Sequence, residues 1–310
     1  MLGLHKPLNQ WLLLLFLAFL WGSSFILMKK ALLSYDYTQV ASLRILISFV
    51  VLSPVLIRNF KHIHRKQWIK IFIAGLLGSG IPAYLFTLAQ TKISSSLAGM
   101  LNSTVPLFAV VIGVVFFGIA FRRLKLFGVV VGLIGTIGLL AVSNASGISS
   151  EYLGYGLLVV LATLCYATNV NFIKSKLQEV SSLNISSFGF LLIGPIAGIH
   201  LFTTDFTTVL SEGKDAPLHL LYVCILAVFG TAIAVILFNM LIKQVSAVFA
   251  SSVTYIIPIF AMIWGFADGE RIDIAQICFI LIILTGVYII NKDNQLERSI
   301  GSKKSKEKIN

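Results

Sequence analysis

Charged side chains are scarce in this chain of 310 residues. Asp, Glu, Lys and Arg make up 12% of the sequence, whereas apolar residues make up 57% and the mean hydropathy is +0.94. About a quarter of the residues of a soluble domain are charged. A chain with so little charge cannot cover itself with polar surface, and the sequence therefore predicts an integral membrane protein.

Cysteine is also rare, and several catalytic motifs are missing. Cys165, Cys224 and Cys278 lie in apolar runs without a CxxC spacing, so we expect small apolar side chains rather than disulfides or metal ligands. The sequence has no GxxxxGK[ST] loop, GxSxG elbow or HExxH. These absences exclude ATP-driven transport by this chain alone and argue against an enzyme. We expect no cofactor and no metal.

Long apolar runs dominate the chain. Because an α-helix rises 1.5 Å per residue, about 20 apolar residues cross a hydrocarbon core of about 30 Å. We predict an all-α integral membrane protein with ten transmembrane helices, numbered here as spans 1 to 10. They lie at residues 10–30, 38–57, 68–90, 94–118, 124–143, 152–173, 183–203, 218–241, 245–267 and 272–291.

The basic residues predict the orientation of these spans. With the N-terminus in the cytoplasm, 18 of the 24 Lys and Arg residues fall in cytoplasmic segments and 5 in outer segments, which also carry 8 of the 12 acidic residues. Lys and Arg accumulate on the cytoplasmic side of membrane proteins. We therefore expect both termini in the cytoplasm, and we attribute the net charge of +12 to the membrane rather than to nucleic acid. Residues 292–310 are expected to be a disordered basic tail that contacts anionic lipid or only solubilises this end.

An internal repeat divides the chain into two halves. Adding 152 to a residue number carries Pro106 to Pro258, and offsets of 144 and 148 relate spans 1 and 5 to spans 6 and 10. Each half, residues 1–146 and 147–291, then holds five spans, and the odd number inserts the second half with opposite polarity. Inverted repeats of this kind are typical of secondary transporters, whose site lies near the midplane between the halves.

Each half carries a polar cluster just before a proline. Within a helix, Pro106 would leave the carbonyl of Asn102 without a partner, and Pro258 would do the same for Thr254. At membrane depth such a carbonyl needs a side chain, a water or a ligand. We predict substrate contacts at Asn102 and Thr254 and helix kinks at both prolines. The alternative is local repair of the kink by Ser, Thr or Asn side chains.

Other polar and aromatic residues lie at membrane depth. Trp21 and Tyr166 are too deep to be interfacial anchors, so they predict either an aromatic cavity wall or core packing. The remaining candidates for the cavity are Ser23, Ser24, Tyr84, Ser103, Asn169, Asn239, Ser251 and Tyr255. No Asp or Glu lies at the middle of a predicted span, which argues against a buried carboxylate proton relay and leaves uniport open.

Arg44 is the one full charge well inside a predicted span, about 10 Å from the outer end of span 2. A charge at this depth is functional by default, and its planar donors could bind a substrate carboxylate. The sequence slightly favours the alternative, in which Arg44 snorkels to the outer surface or pairs with Asp36. A cavity-facing Arg44 would indicate amino acids as substrates, whereas a salt-bridged Arg44 would indicate lipophilic cations.

Short motifs in order along the chain resemble the EamA branch of the drug/metabolite transporter superfamily. They are AFLWGSSFILMKK in span 1, Ser42-Leu43-Arg44 in span 2, the series from Tyr84 to Pro106, and Gly269-Glu270 after span 9. The chain departs from the pattern after span 4, where Ile119 rather than Glu follows Gly118. Over about residues 10–291 the resemblance implies two five-helix EamA domains and a cavity lined mainly by spans 1, 3, 4, 6, 8 and 9.

The same resemblance implies function. We expect a secondary transporter, and specifically an exporter, of small metabolites such as amino acids, in the plasma membrane of a bacterium (its inner membrane). The alternatives are an exporter of drugs or lipophilic cations, and a membrane enzyme or receptor-like protein. The expected partners are a small-molecule substrate and lipid. A monomer is compatible with the internal repeat, and the glycine face of span 5 could pack within the bundle or against a second copy. That face carries Gly128, Gly132 and Gly135.

Overall fold

The computed structural model is helical throughout the residues that it describes, which are 7–59, 64–118, 123–145, 150–244 and 253–307. Within these ranges we number fourteen α-helices in chain order. They are α1 Pro7–Ala31, α2 Tyr37–Asn59, α3 Trp68–Gly75, α4 Ile81–Gln90, α5 Ser95–Asn102, α6 Val105–Phe117, α7 Arg123–Ala145, α8 Ser150–Lys176, α9 Ser182–Thr203, α10 Phe206–Glu212, α11 Ala216–Ala227, α12 Ala234–Gln244, α13 Val253–Ala267 and α14 Ile274–Glu307.

Several of these helices, alone or joined end to end, form stretches that are long and apolar enough to cross a membrane. Over the described residues, eight helical stretches meet both conditions, and they coincide with predicted spans 1 to 8. Two shorter apolar helices, Val253–Ala267 and Ile274–Ile290, lie where spans 9 and 10 were predicted. The prediction of an all-α membrane protein is confirmed, and the count of ten spans stays a prediction.

Spans 3 and 8 contain matching interruptions. α3 and α4 are joined through a π-helical turn at Leu76–Gly80, called here the span 3 π turn. α11 and α12 are joined through another at Val228–Ile233, the span 8 π turn. The two begin 152 residues apart, the offset of the sequence repeat. Such turns are rare in α-helices and frequently lie at functional sites.

Span 4 is broken rather than continuous. α5 and α6 are separated by Ser103 and Thr104, and each of these two residues donates its backbone N–H and its hydroxyl to the carbonyl three residues earlier. Pro106 therefore lies in the first turn of α6. The sequence had predicted a position within a continuous helix. Proline fits there because the N–H groups of a first turn have no helical partner. Pro258 does lie inside α13.

The helices of the two halves interlock. α2 packs on α9, α7 on α14, and α5 on α13. α1 contacts α11 and α13, the helices of spans 8 and 9, and α8 makes the reciprocal contacts with α4 and α6 of spans 3 and 4. The polar residues of spans 1, 2 and 6 are thereby turned toward the opposite half.

α7 and α14 approach each other most closely at glycines. A Cβ added to Gly128 would lie 2.7 Å from the carbonyl oxygen of Gly286, and one added to Gly286 would lie 2.5 Å from that of Gly128. Small residues permit such contact between membrane helices. The glycine face of span 5 is thus covered by the same chain.

The basic tail also differs from expectation. α14 continues as helix to Glu307, well beyond Asn291, where a disordered tail was expected. Lys, Glu, Gln and Arg are good helix formers, and adding residues to an existing helix avoids the cost of nucleation.

Candidate functional site

The span 8 π turn receives side chains from the other half of the molecule. The indole Nε1 of Trp21 donates to the carbonyl of Gly230 at 3.1 Å, and its ring packs edge-on against Phe238 with 4.9 Å between centroids. Ser24 faces the same glycine, because a Cβ on Gly230 would lie 2.5 Å from the Ser24 hydroxyl oxygen. Trp21 therefore contacts both the backbone and the aromatic side of span 8.

Arg44 reaches the same turn from α2. Its Nε donates to the hydroxyl of Thr231 at 2.8 Å, and one helical turn later Ser48 donates to the carbonyl of Ala227 at 3.1 Å. Arg44 does not pair with Asp36, whose carboxylate instead accepts from the backbone and hydroxyl of Thr38. The expected ion pair is absent from the described residues.

Tyr166 of α8 lies beside the guanidinium of Arg44 and interacts with it through its hydroxyl. Its ring stacks on Phe86 of α4 with 6.0 Å between centroids, and Phe86 in turn packs against Phe25 of α1. The predicted aromatic pair is thus divided, since Trp21 contacts span 8 while Tyr166 contacts span 3. Both rings are partly accessible.

Asn169 faces the span 3 π turn. Its carboxamide occupies the space that a Cβ on Gly78 would need. Its Oδ1 is buried and has no hydrogen-bond partner among the described residues. A buried unpaired acceptor costs free energy, which a water or a ligand can recover. Asn171, two residues further along α8, does have hydrogen-bond partners. Its Nδ2 donates to the carbonyls of Ala109 and Ala167 at 2.9 and 3.0 Å.

The residues predicted around the two prolines are not brought to the π turns by any contact described. Asn102 ends α5, is partly accessible, and makes no side-chain hydrogen bond in the part of the chain that is described. Ser103 is buried, and its hydroxyl donates to the carbonyl of Met100 rather than to that of Asn102. Thr254 and Tyr255 lie in the first turn of α13 and both have interaction partners. Ser251 lies outside the described residues, and so does the side chain of Asn239 in α12.

Ser23 and Tyr84 join helices elsewhere. Ser23 accepts a hydrogen bond from the indole of Trp264 at 2.8 Å, which ties α1 to α13. The hydroxyl of Tyr84 lies 2.8 Å from that of Ser42, which lies 3.3 Å from Nδ1 of His200. These contacts link α4, α2 and α9. Ser23 and Tyr84 therefore form hydrogen bonds between helices of the bundle.

Glu270, a carboxylate to which sequence reasoning assigned no role, accepts more hydrogen bonds than any other acidic residue in the described part of the chain. Glu270 follows α13, and its Oε1 accepts from Lys29 Nζ and from the backbone and hydroxyl of Ser95, at 2.8 Å each. Its Oε2 accepts from the backbone and hydroxyl of Ser96 at 3.0 and 2.6 Å. The side chain is 5% exposed. The end of α1, the start of α5 and the segment after α13 are thereby joined.

Asp268 completes this group by pairing with Lys29 at 2.8 Å and with Lys30. We call the six residues the Glu270 cluster: Lys29, Lys30, Ser95, Ser96, Asp268 and Glu270. Burial alone would raise the pKa of the Glu270 carboxyl, but the hydrogen bonds from Lys29, Ser96 and Ser95 outweigh burial and hold that pKa below its usual value. The position at the start of α5 adds the favourable dipole of a helix N-terminus.

The sequence did contain a signal for this cluster. Gly269 adopts a φ of +81°, which glycine accepts readily, and it turns the chain so that Glu270 points back at α5. A Gly-Glu pair directly after an apolar run, together with two lysines at the end of span 1, would have suggested an ion pair between the two ends.

A bundle of membrane-length helices from two interlocked halves, with polar and aromatic side chains at its centre, defines a multi-pass membrane protein of the transporter class. Comparison with protein families is more specific. The EamA-like transporter family matches residues 9–141 and 154–292, and the chain belongs to this family. The family predicted from the short motifs is confirmed.

Similar proteins agree with this assignment. An uncharacterized transporter of Archaeoglobus fulgidus is 23% identical over 285 residues, covering 91% of this chain and 99% of the relative. The uncharacterized inner membrane transporter YedA of Escherichia coli K12 is 25% identical, covering 87% and 89%. An S-adenosylmethionine/S-adenosylhomocysteine transporter of Chlamydia trachomatis is 24% identical, covering 80% and 78%. A crystal structure at 16% identity shares the fold, with a TM-score of 0.62 over 95% of this chain and 99% of that chain.

Proposed function

We propose that this protein is a secondary transporter that exports small metabolites such as amino acids by alternating access between two inverted five-span repeats. The proposal includes ten spans and both termini in the cytoplasm, as the charge distribution indicates. The observation that carries it is the span 8 π turn, a second-half segment bonded by Trp21 and Arg44 of the first half. Transporters with inverted repeats bind substrate where the halves meet.

The chemistry around that turn suits a small amphipathic molecule. Trp21, Tyr166 and Phe86 offer aromatic surface, and Arg44 offers a positive charge. Since Arg44 makes no salt bridge within the described residues, the arrangement favours amino acids over lipophilic cations. Asn169 adds a carboxamide oxygen without a partner.

The Glu270 cluster fits the closed outer side of such a cycle. In the proposed orientation it lies on the outer side, where it ties the ends of spans 1 and 9 to the start of span 4. A substrate would then enter from the cytoplasm and leave only after this cluster separates. Opening of one side while the other is held closed is the requirement of alternating access.

The substrate of the Chlamydia relative belongs among the compounds to be tested. S-adenosylmethionine carries an amino-acid head group together with an adenine ring, and the ring could stack on Trp21 or Tyr166. The specific observation in favour is the position of Tyr166, a partly accessible residue, beside Arg44.

Counterflow in proteoliposomes tests the proposal. Purified protein is loaded with unlabelled amino acids or S-adenosylmethionine, and uptake of the labelled compound is measured with and without a pH gradient. We expect uptake well above that of empty liposomes for at least one amino acid, and any dependence on the gradient distinguishes proton coupling from uniport. Uptake equal to that of empty liposomes across a broad panel would contradict the amino-acid proposal.

A further inference from the structure

We infer that Arg44 is the residue that selects the substrate, by binding a carboxylate group of the transported molecule end-on through its guanidinium. This inference rests on the proposed transport function and adds the chemical group that the site recognises. It concerns a single contact, so transport and carboxylate selection can be tested separately.

The first step is the direction of the Arg44 side chain. The starts of α2 and α11 share one face of the bundle, because Tyr35 donates to the carbonyl of Ala216 at 2.8 Å. Arg44 lies about 10 Å into α2 from that face, whereas Thr231 lies about 22 Å from the start of α11, at 1.5 Å per residue. The hydrogen bond to Thr231 therefore points the guanidinium toward the middle of the bundle. Snorkelling would require the opposite direction.

The second step is the charge balance. Within the described residues no carboxylate lies within 4.0 Å of Arg44. Two acids near the outer ends of spans 2 and 9 are engaged there, Asp36 with Thr38 and Glu270 with Lys29. A guanidinium at membrane depth is costly unless an anion or water compensates it. The Arg44 residue as a whole is partly rather than fully buried.

The third step is the count of donors. A guanidinium has five N–H groups in one plane, and Arg44 uses Nε for Thr231 and a further contact for Tyr166. Because Nε is occupied by Thr231, a carboxylate would bind the terminal edge formed by the two Nη atoms, next to Tyr166. That edge matches the two oxygens of a carboxylate. The phenol of Tyr166, whose oxygen faces the guanidinium, keeps its own O–H to donate to the same ligand.

Matched ligand pairs test this inference directly. Leucine and phenylalanine are compared with leucinamide and phenylalaninamide as competitors of counterflow, because each amide retains the side chain and the amine but lacks the carboxylate. We expect the wild-type protein to prefer the acids, and Arg44→Gln to lose about 10- to 100-fold in apparent affinity for the acids while its affinity for the amides changes little. Arg44→Lys should keep part of the preference, since it keeps the charge without the planar fork.

Two further variants make the result specific. Arg58→Gln removes an exposed arginine from the far end of the same helix and should transport as the wild type does. Thr231→Val removes the acceptor that orients the guanidinium but leaves the charge of Arg44 in place. It should therefore reduce the apparent affinity for the acids less than Arg44→Gln does. Thermal unfolding in detergent verifies that each variant is folded.

The outcomes separate the two proposals. Equal preference for acids over amides in wild type and Arg44→Gln overturns the role of Arg44. Transport of amides and acids alike by the wild type also overturns it and leaves the transport function standing. Uptake of no compound across the broad panel contradicts the proposed transport of amino acids, on which this inference rests.

Discussion

The two π turns begin 152 residues apart and interrupt corresponding spans, yet they are held in different ways. The span 8 turn accepts hydrogen bonds from Trp21 and Arg44. The span 3 turn faces Asn169, whose oxygen has no partner in the described residues. The helix that leads into this turn packs closely on α9, since a Cβ on Gly75, the last residue of α3, would lie 2.9 Å from the Cα of Gly189. Polar bonds from the other half hold the span 8 turn, whereas a close glycine contact directly precedes the span 3 turn.

The difference indicates asymmetry between the two repeats. Each half supplies the same interrupted helix, but within the described residues the arginine and the tryptophan that bond an opposite turn both belong to the first half. The Glu270 cluster has the same one-sided character, because the segment after span 4 carries Ile119 rather than Glu after its glycine. Symmetry of the fold therefore coexists with asymmetric chemistry, and the following variants test that asymmetry.

Loss of the Glu270 carboxylate should have the largest effect. Glu270→Gln keeps the shape but removes the charge that Lys29 and the start of α5 bind, and we expect a loss of roughly 3 kcal/mol in the free energy of unfolding. Thermal unfolding in detergent measures it. Glu212→Gln, at an exposed acid on α10, is the control and should be neutral. A wild-type melting temperature in Glu270→Gln would contradict the role of the cluster.

The same variant predicts a dependence on pH. The folded-state pKa of Glu270 lies below its ordinary value of 4.5, so its stabilising contribution is complete above that value and is lost as pH falls through the lowered pKa. The difference in melting temperature between wild type and Glu270→Gln should be constant at neutral and mildly acidic pH and shrink in stronger acid. A difference that grows on acidification would be inconsistent with a lowered pKa.

Substitution of Trp21 is expected to cause the next largest loss of stability. Trp21→Ala removes the hydrogen bond to Gly230 and the ring contact with Phe238, and it should destabilise the protein by about 2–3 kcal/mol, less than a fully buried tryptophan would. Trp21→Phe keeps most of the ring contact and should cost about 1 kcal/mol. Equal melting temperatures for the two variants would show that the ring contact contributes nothing.

Substitutions of two asparagines of α8 are expected to change the stability of the protein in opposite directions. Asn171→Leu removes a satisfied carboxamide that bonds Ala109, and it should destabilise by about 1–2 kcal/mol. Asn169→Leu replaces an unpaired oxygen with a side chain of similar volume, so stability should rise or stay unchanged by thermal unfolding. If Asn169 serves the ligand, counterflow by that variant should nevertheless fall. Destabilisation by Asn169→Leu equal to that of Asn171→Leu would remove the contrast.

The smallest effect is expected at Tyr84. Tyr84→Phe loses one hydroxyl contact with Ser42 and should cost about 0.5–1 kcal/mol. Counterflow should be unchanged. A strong loss of transport would place Tyr84 in the substrate path after all.

Sequence reasoning located the centre of the molecule because depth follows from residue position along an apolar run. Trp21, Tyr166 and Asn169 were assigned to membrane depth and Arg44 to about 10 Å from the outer end of span 2, and the structure joins Trp21, Arg44 and Tyr166 to the span 8 π turn or to each other. The direction of Arg44 could not be predicted, since both snorkelling and inward bonding satisfy the same position in α2. Only the hydrogen bond to Thr231 decides between them.

Local structure was harder to predict than depth. Pro106 and Pro258 occupy equivalent positions in the repeat, yet Pro106 follows a break whereas Pro258 lies inside α13. The π turns have no distinctive composition, because inserting one residue into a helical turn depends on packing rather than on propensity. For Glu270 the sequence offered a partial signal, the Gly269-Glu270 pair and the two lysines that end span 1, but the contact with Ser95 and Ser96 depends on which helix ends pack together.

The glycine contact between α7 and α14 has a consequence for biosynthesis. α14 begins about 150 residues after Gly128, one of the glycines that it covers. Chains begin to fold during synthesis, N-terminal segments first. The contact between α7 and α14 therefore forms only after Ile274 and the residues that follow it have been synthesised, and a chain stopped before Ile274 never forms it.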